Sequence, residues 1–581
     1  MGRLSRREFL KLAGSAAAAV PLGRVPGLSN WPRSVGSEVS GAGVTTLDQT
    51  IVKGARVRSG TKGSYYRLAY GPGEPWVVRE DLGRASRAPI RTATSFVHFT
   101  DIHLVDAQSP ARVEFLDRFA DQQCESFPLD SAQRPQETLT LQVLESMIRQ
   151  VRSIGRGPAS GARFGLAVCT GDNIDNEQFN ELRWFIDLMD GGKRVVPNSG
   201  GPAYEGVQDV GWGDPEYWHP EPASDKYKEQ YGFPDYPGLL SDAVRPFAAT
   251  GIGLPWLQTF GNHDGLMQGN APRSEAFNAM AVGSLKFDAP PPGIDPCNPF
   301  TGLGSRWLPS RPVSADPARR IVRRRQYIEE HFRTTGAPAG HGFTQRNRSD
   351  GTAYYARDEG RLLRFVALDT VNPGGYSDGS IGAAQFAWLE QRLIEVHSAY
   401  YDQGGNLITT GNGDRLVILF SHHGLRSLIN PVMSPNPDDP GSNDLPRVLA
   451  DQVEALLHRF PNVIAWVNGH THDNVIQARP DPAGRTKGFW DVGTAAHIDW
   501  TCQSRIVEVA VRGDGAISIF CTMVDQAGTA DPRGSTGLLR LASIHRELAA
   551  NDFQYGFASK GPGKPEDRNV ELTLPAPSWL K

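Results

Sequence analysis

The 581-residue sequence is sparing with cysteine, close to neutral in net charge and without a long apolar run. Its five cysteines, Cys124, Cys169, Cys297, Cys502 and Cys521, are scattered, odd in number and never spaced as CxxC. That pattern excludes a cysteine-built zinc site. An oxidising compartment allows one or two disulfides, which the sequence does not pair. A net charge of −4 carries no global electrostatic footprint for nucleic acid, so none is expected as a partner other than as substrate. The N-terminal apolar run Leu12–Leu22 is too short for a stable membrane span. What is present is ordinary for a soluble globular chain, with 39% hydrophobic and 21% charged residues. Glycine, at 63, and proline, at 43, predict many long loops. By length, two to four domains or one large α/β domain with insertions both fit.

Residues 5–11, Ser-Arg-Arg-Glu-Phe-Leu-Lys, lead into an alanine-rich apolar stretch and resemble a bacterial twin-arginine export signal. The resemblance implies an exported, extracytoplasmic protein, secreted or wall-associated, with the twin-arginine machinery as a partner. Residues 1–30 are read as this signal segment. Residues 31–95 form a small β-rich segment, with Ile51–Val57 and Ser64–Tyr70 as strands. Residues 96–530 hold the main domain, and 531–581 an appended helix, Thr536–Ala550, and tail.

Within the main domain, five polar clusters each follow an apolar, strand-like run. Asp101-Ile102-His103 follows Thr94–Thr100, and Gly171-Asp172-Asn173-Ile174-Asp175 follows Phe164–Thr170. Gly261-Asn262-His263-Asp264 follows Pro255–Phe260, Ser421-His422-His423 follows Arg415–Phe420, and Gly469-His470-Thr471-His472 follows Val463–Val467. If these runs stay extended, alternation puts Asp101 beside His103 and His470 beside His472. Carboxylate and imidazole together suit Zn, Mn or Fe. Asp172 projects from a glycine turn, where one carboxylate can sit between two cations about 3.5 Å apart. Asp175 and Asn176 read as partners of ligands rather than ligands. EF-hand spacing is missing, as is the H-x-H-x-D-H run of a metallo-β-lactamase. His98 reads as a packed strand histidine, and Glu137–Arg152, Gln178–Met189 and Ile381–His397 as helices. Two insertions interrupt the pattern. The aromatic-rich 191–249 reads either as a pocket wall or as self-packed, and 265–361 carries Arg319–Arg325, read as a solvated helix face balanced by Glu329 and Glu330.

The ordered set D-x-H, G-D-x-x-D, G-N-H-D, a strand-end histidine and G-H-x-H resembles the calcineurin-like metallophosphoesterases over roughly residues 95–525. More narrowly, it is similar to their exported, actinobacterial-type branch. The resemblance implies an α/β fold, a four-layer α/β/β/α sandwich of two mixed sheets with large loop insertions. It implies two divalent metal ions, Mn, Fe or Zn. Asp101, His103 and His472 would hold the first, Asp172 would bridge, and Asn262, His422 and His470 would hold the second. His422 is selected over His423 because the family ligand comes first in an H-x-P type pattern; this chain has His423-Gly424 and no proline there. His263 would contact the phosphoryl group and help protonate the departing alcohol, with Asp264 behind its ring. Purple acid phosphatases have a tyrosine where Asp175 stands, so no iron–tyrosinate centre is expected. The implied activity is hydrolysis of a small-molecule phosphate ester, monoester or diester, by a metal-bridging hydroxide. The alternative is an exported binding or wall-associated protein that keeps the fold without catalysis.

Overall fold

The apolar runs form strands whose spatial order brings distant loops to one edge. The computed structural model describes residues 44–120, 132–289, 309–433 and 446–580. The twin-arginine stretch, residues 31–43, Cys124, Cys297 and positions 290–299 of the second insertion lie outside the described residues. Among the described residues no helix is long and apolar enough to cross a membrane, and Cys169, Cys502 and Cys521 are free and buried.

The architecture is mixed α/β, with two large mixed sheets. The seven-stranded sheet runs Val77–Arg79, Val570–Pro575, Ala516–Asp525, Gln503–Arg512, Ile90–Phe99, Leu166–Cys169, Trp256–Gln258 in space. The six-stranded sheet runs Tyr355–Glu359, Leu363–Ala367, Leu416–Phe420, Val463–Asn468, Phe489–Gly493, Val475–Arg479. Ile90–Phe99, Leu166–Cys169 and Trp256–Gln258 are mutually parallel, as are the four central strands of the other sheet. Parallel neighbours end on the same side, so the loops after them converge.

Alternation along the strands divides two cores. Phe96, Ala167, Phe365, Ile418, Phe420, Val467, Trp490 and Val509, drawn from both sheets, share one buried cluster. The rings of Phe96 and Phe365 meet edge to face at 5.6 Å. Helices Thr140–Ile154 and Phe179–Asp190 add Leu144, Met147, Leu182 and Phe185 to it. The intervening residues Val366, Val417, Leu419 and Trp466 bury instead with Leu389 and Leu393 of helix Ala383–Ile394 and Val453 and Leu456 of helix Ala450–Leu457. Burial on both faces explains why these strands read as continuous apolar runs.

Two readings change, and one open alternative closes. Segments 31–95 and 531–581, set apart in the sequence, both supply strands to the seven-stranded sheet. Val77–Arg79 pairs parallel with Val570–Pro575, which pairs antiparallel with Ala516–Asp525. One strand is three residues long and the other is broken by Glu571 and Thr573, so neither shows as an apolar run. The aromatics of 191–249 pack inward. Trp218, Tyr227, Phe233 and Tyr236 cluster with Tyr65 and with Leu541, Ile544 and Leu548 of helix Gly537–Asn551. The Arg319–Arg325 run is not a uniformly solvated face. Arg319 is buried against Asp106 at 3.1 Å, and Arg324 pairs with the buried Asp369. Charge pattern alone hides this, because the partners come from remote segments.

Phe365→Ala should lower unfolding free energy by about 3–5 kcal/mol, read by urea titration. A loss under about 1 kcal/mol would mean the two sheets do not share this packing.

Candidate metal centre

Each chemistry-bearing cluster begins where a strand stops. Asp101 and His103 follow Ile90–Phe99, and Asp172 follows Leu166–Cys169. Asn262 and His263 follow Trp256–Gln258, His422 follows Leu416–Phe420, and His470 and His472 follow Val463–Asn468. The backbone at five of these positions is left-handed: φ is 48° at Asp101, 46° at His103, 48° at Asp172, 71° at His470 and 54° at His472. Strand alternation therefore does not pair Asp101 with His103 or His470 with His472; tight turns beyond the strands do. Each such residue costs on the order of 1 kcal/mol or more and needs support from its surroundings. Hydrogen bonds between the turns supply it. His103 N–H donates to the Asp172 carbonyl at 2.9 Å, and His470 N–H donates to the Asp101 carboxylate at 2.9 Å. Gly171 has φ 88°, and a Cβ there would lie 2.6 Å from the Gly261 amide nitrogen. Only glycine lets these two loops touch.

The seven residues expected as ligands come together and are buried or nearly so. Asp172 Oδ2 is 3.2 Å from His422 Nε2 and 3.6 Å from His103 Nε2, while its Oδ1 accepts the His263 amide at 2.8 Å. His472 Nε2 lies 3.3 Å from Asp101 Oδ1 and 3.3 Å from His103 Nε2. His470 Nδ1 lies 3.2 Å from both Asn262 Oδ1 and His422 Nε2. Asp101, His103 and His472 form one group of candidate ligands within 4.8 Å of one another, and Asp101, Asp172 and His422 form another.

Whether such a donor set suits cations is tested by the far side of each ring. His103 Nδ1–H donates to Asp175 Oδ1 at 2.9 Å, His422 Nδ1–H to the Thr170 carbonyl at 2.9 Å, and His472 Nδ1–H to Asp499 Oδ2 at 2.6 Å. Each bond fixes the tautomer and leaves the Nε2 lone pair facing the cluster. Bare imidazole nitrogens 3.2–3.3 Å apart repel unless a cation or proton lies between them. Ligands about 2.1 Å from one shared cation sit about 3.0–3.4 Å apart, which is the spacing here. The residues fit a metal site. His423 is close by, but Thr370 Oγ1 occupies its Nδ1 at 2.8 Å and the Ser377 carbonyl its Nε2 at 2.7 Å. His422 is thus the ring whose second nitrogen faces Asp172 and His470.

Protons stand in for cations in the electrostatics. Burial opposes charge on His422, but the Asp172 carboxylate outweighs it and lifts the imidazole to about 9. Burial also opposes charge on His472, and Asp101 and Asp499 lift it to about 10. Asp172 is buried too, yet His422 and His263 hold its carboxyl down at about 2.

His263 departs from expectation in its partner. Its Nδ1–H donates to the Asp175 carbonyl at 2.8 Å and lies 3.3 Å from Asp175 Oδ1. Asp264 does not stand behind the ring. Its carboxylate accepts the N–H groups of Gly261 at 2.9 Å, Asn173 at 3.2 Å and Ile174 at 3.3 Å, tying the Asp172 turn to the Asn262 turn. The reason is local: Asp264 sits in the third position of a short helical turn and reaches back to its first amide. Burial and the nearby Asp172 charge raise Asp264 to about 7.

The cluster opens into a cleft of ≈ 320 Å³ lined by His103, Asp172, Asn262, His263, His470 and His472. Arg112, Arg134, Gln268, Asn270 and Tyr555 complete its polar wall, and Val113, Leu116, Met267 and Phe277 its apolar one. No protein-family model matches the chain, and no curated protein matches it. Among solved structures, a dimetal phosphatase from Danio rerio aligns over 75% of this chain and 100% of its own, at 11% identity and a TM-score of 0.29. That likeness is too slight to bear on what this chain does.

Several contributors were not legible as site residues. Asp499 lies in the loop after Phe489–Gly493, on the same edge as the other clusters; that placement was the available signal. Arg134 pairs with Asp499 at 2.6 Å, and Arg112 with Asp175. Both guanidiniums hold carboxylates that in turn orient imidazoles. Tyr555 comes from beyond the C-terminal helix, its ring 4.9 Å from the Arg134 guanidinium, and nothing local in the sequence marks it.

Asp499→Ala should weaken metal binding by about 10–100-fold, because His472 loses its orienting acceptor. Metal titration of the purified variant measures this; unchanged affinity would remove Asp499 from the site.

Proposed function

We propose that this chain is a di-metal phosphoesterase of the calcineurin-like type, built on the α/β/β/α sandwich and exported by the twin-arginine route. The observation that carries the reading is Asp172, whose one carboxylate oxygen lies within 3.6 Å of two Nε2 atoms belonging to different ligand groups. Asp101, His103 and His472 would hold one cation, Asn262, His422 and His470 the other, and Asp172 both. The donor mix of nitrogen and oxygen accepts Mn, Fe or Zn. Bound there, the pair would supply Lewis acidity at a phosphoryl oxygen and lower the pKa of water.

The remaining chemistry belongs to the chain. A phosphate ester, monoester or diester, enters the cleft with its departing oxygen toward His263. With Nδ1 on Asp175, the free Nε2 is the atom that holds a proton for that oxygen. Water adds to phosphorus as the ester P–O bond breaks, and the alcohol leaves with the proton from His263. The proton lost by the water passes to solvent, and His263 is reprotonated from solvent. Burial of the ligand residues keeps their dipoles fixed while charge moves. The export reading rests on the arginine pair Arg6-Arg7 and the alanine-rich stretch after it.

Metal analysis of the purified protein, with turnover of a chromogenic monoester and a diester before and after chelation, tests the proposal. Bound metal and chelator-sensitive turnover of at least one substrate are expected; no turnover after restoring Mn, Zn or Fe would end it. His263→Ala should keep metal and lose about 100-fold or more in turnover. Loss of metal instead would make His263 a ligand.

A further inference from the structure

We propose that Gly269 is a positioning residue for His263, its missing side chain being what keeps the imidazole in place. The catalytic consequence rests on the di-metal reading above; the geometric one does not. Gly269 lies at the tip of a tight turn closed by the Met267 N–H to the Ala271 carbonyl at 2.9 Å. Its φ is 67°, and a Cβ there would lie 2.3 Å from both Cδ2 and Nε2 of His263 and 2.5 Å from Asn262 Nδ2. The opposite side of the ring is pinned, since Nδ1 donates to Asp175. The ring is therefore held between an acceptor on one edge and bare backbone on the other. The same glycine carbonyl accepts Asn262 Nδ2–H at 3.1 Å, which turns Asn262 Oδ1 toward His470.

The turn has little room to retreat. Gln268 Nε2–H donates to the Ala111 carbonyl at 2.6 Å, and Asn270 Nδ2–H to the Gln268 carbonyl at 2.7 Å. The Tyr376 N–H in turn donates to the Asn270 carbonyl at 2.7 Å. Ordinary carbon contacts need about 3.5 Å, so a methyl group moves the ring by about 1 Å. A displacement of that size at a proton donor costs on the order of 100-fold in rate.

The test is Gly269→Ala beside Gly192→Ala. Gly192 has φ 69° and nothing within 4 Å of an added Cβ, so it carries the backbone strain without the clash. Turnover per metal-loaded molecule should fall about 100-fold in Gly269→Ala with an alkyl phosphate. The fall should be smaller with p-nitrophenyl phosphate, whose leaving group needs no proton. Gly192→Ala should match the parent. In a His263→Ala background, adding Gly269→Ala should change turnover per metal-loaded molecule less than about twofold, any effect through Asn262 being read separately as metal occupancy. A crystal structure of Gly269→Ala should show the ring displaced away from residue 269, with its Nδ1 contact to Asp175 distorted. An unmoved ring, an equal loss in Gly192→Ala, or losses that multiply in the double variant would each overturn the proposal. A shifted ring in a protein with no phosphoesterase turnover would uphold the positioning role and end the functional reading instead.

Discussion

The Asp172 carboxylate is the contact on which the centre depends. One oxygen fixes the His263 amide and the other faces His103 and His422, so a single side chain ties three loops from both large sheets. Burying that charge is costly unless it is compensated. The compensation comes from imidazoles, each aligned by an acceptor behind it. Arg112 stands behind Asp175, and Arg134 stands likewise behind Asp499, the acceptor of the His472 ring that faces Asp101. The result is three shells, ligand, orienting acceptor and guanidinium, and the outermost also faces the cleft.

Convergence on this point is achieved against the local preference of the backbone. Left-handed turns at Asp101, His103, Asp172, His470 and His472 are disfavoured one by one. They persist because the turns bond to one another across the parallel strand ends. Asp264 contributes here rather than at the imidazole, joining the Asp172 and Asn262 turns through amide groups. Rigidity of the strands below and mutual bonding of the turns above together hold the side chains where one or two cations fit.

The sequence was most legible where burial is two-sided. Runs such as Leu416–Phe420 and Val463–Val467 are apolar throughout and mark themselves as central strands, and the residues just beyond them mark the candidate ligands. Legibility fell where a role depends on a partner far along the chain. Asp499 looks like any loop carboxylate until His472 is placed beside it, and Arg319 looks solvated until Asp106 covers it. It fell again for short strands: Val77–Arg79 has no periodicity to read, and its membership comes entirely from pairing with Val570–Pro575. Asp264 follows His263 in sequence without standing behind its ring, because a helical turn sends consecutive side chains in different directions.

The pairing of Val77–Arg79 with Val570–Pro575 has a consequence for the order of folding. Thr46 bonds Asn569, 523 positions later, so the outer part of the seven-stranded sheet is stitched from segments made early and late on the ribosome. Contacts of such separation form slowly. Until they form, strand Val570–Pro575 lacks its outer neighbour Val77–Arg79 and presents an open hydrogen-bonding edge to other nascent chains. Chaperone protection of that edge, rather than of the ligand loops, is where folding yield would be decided.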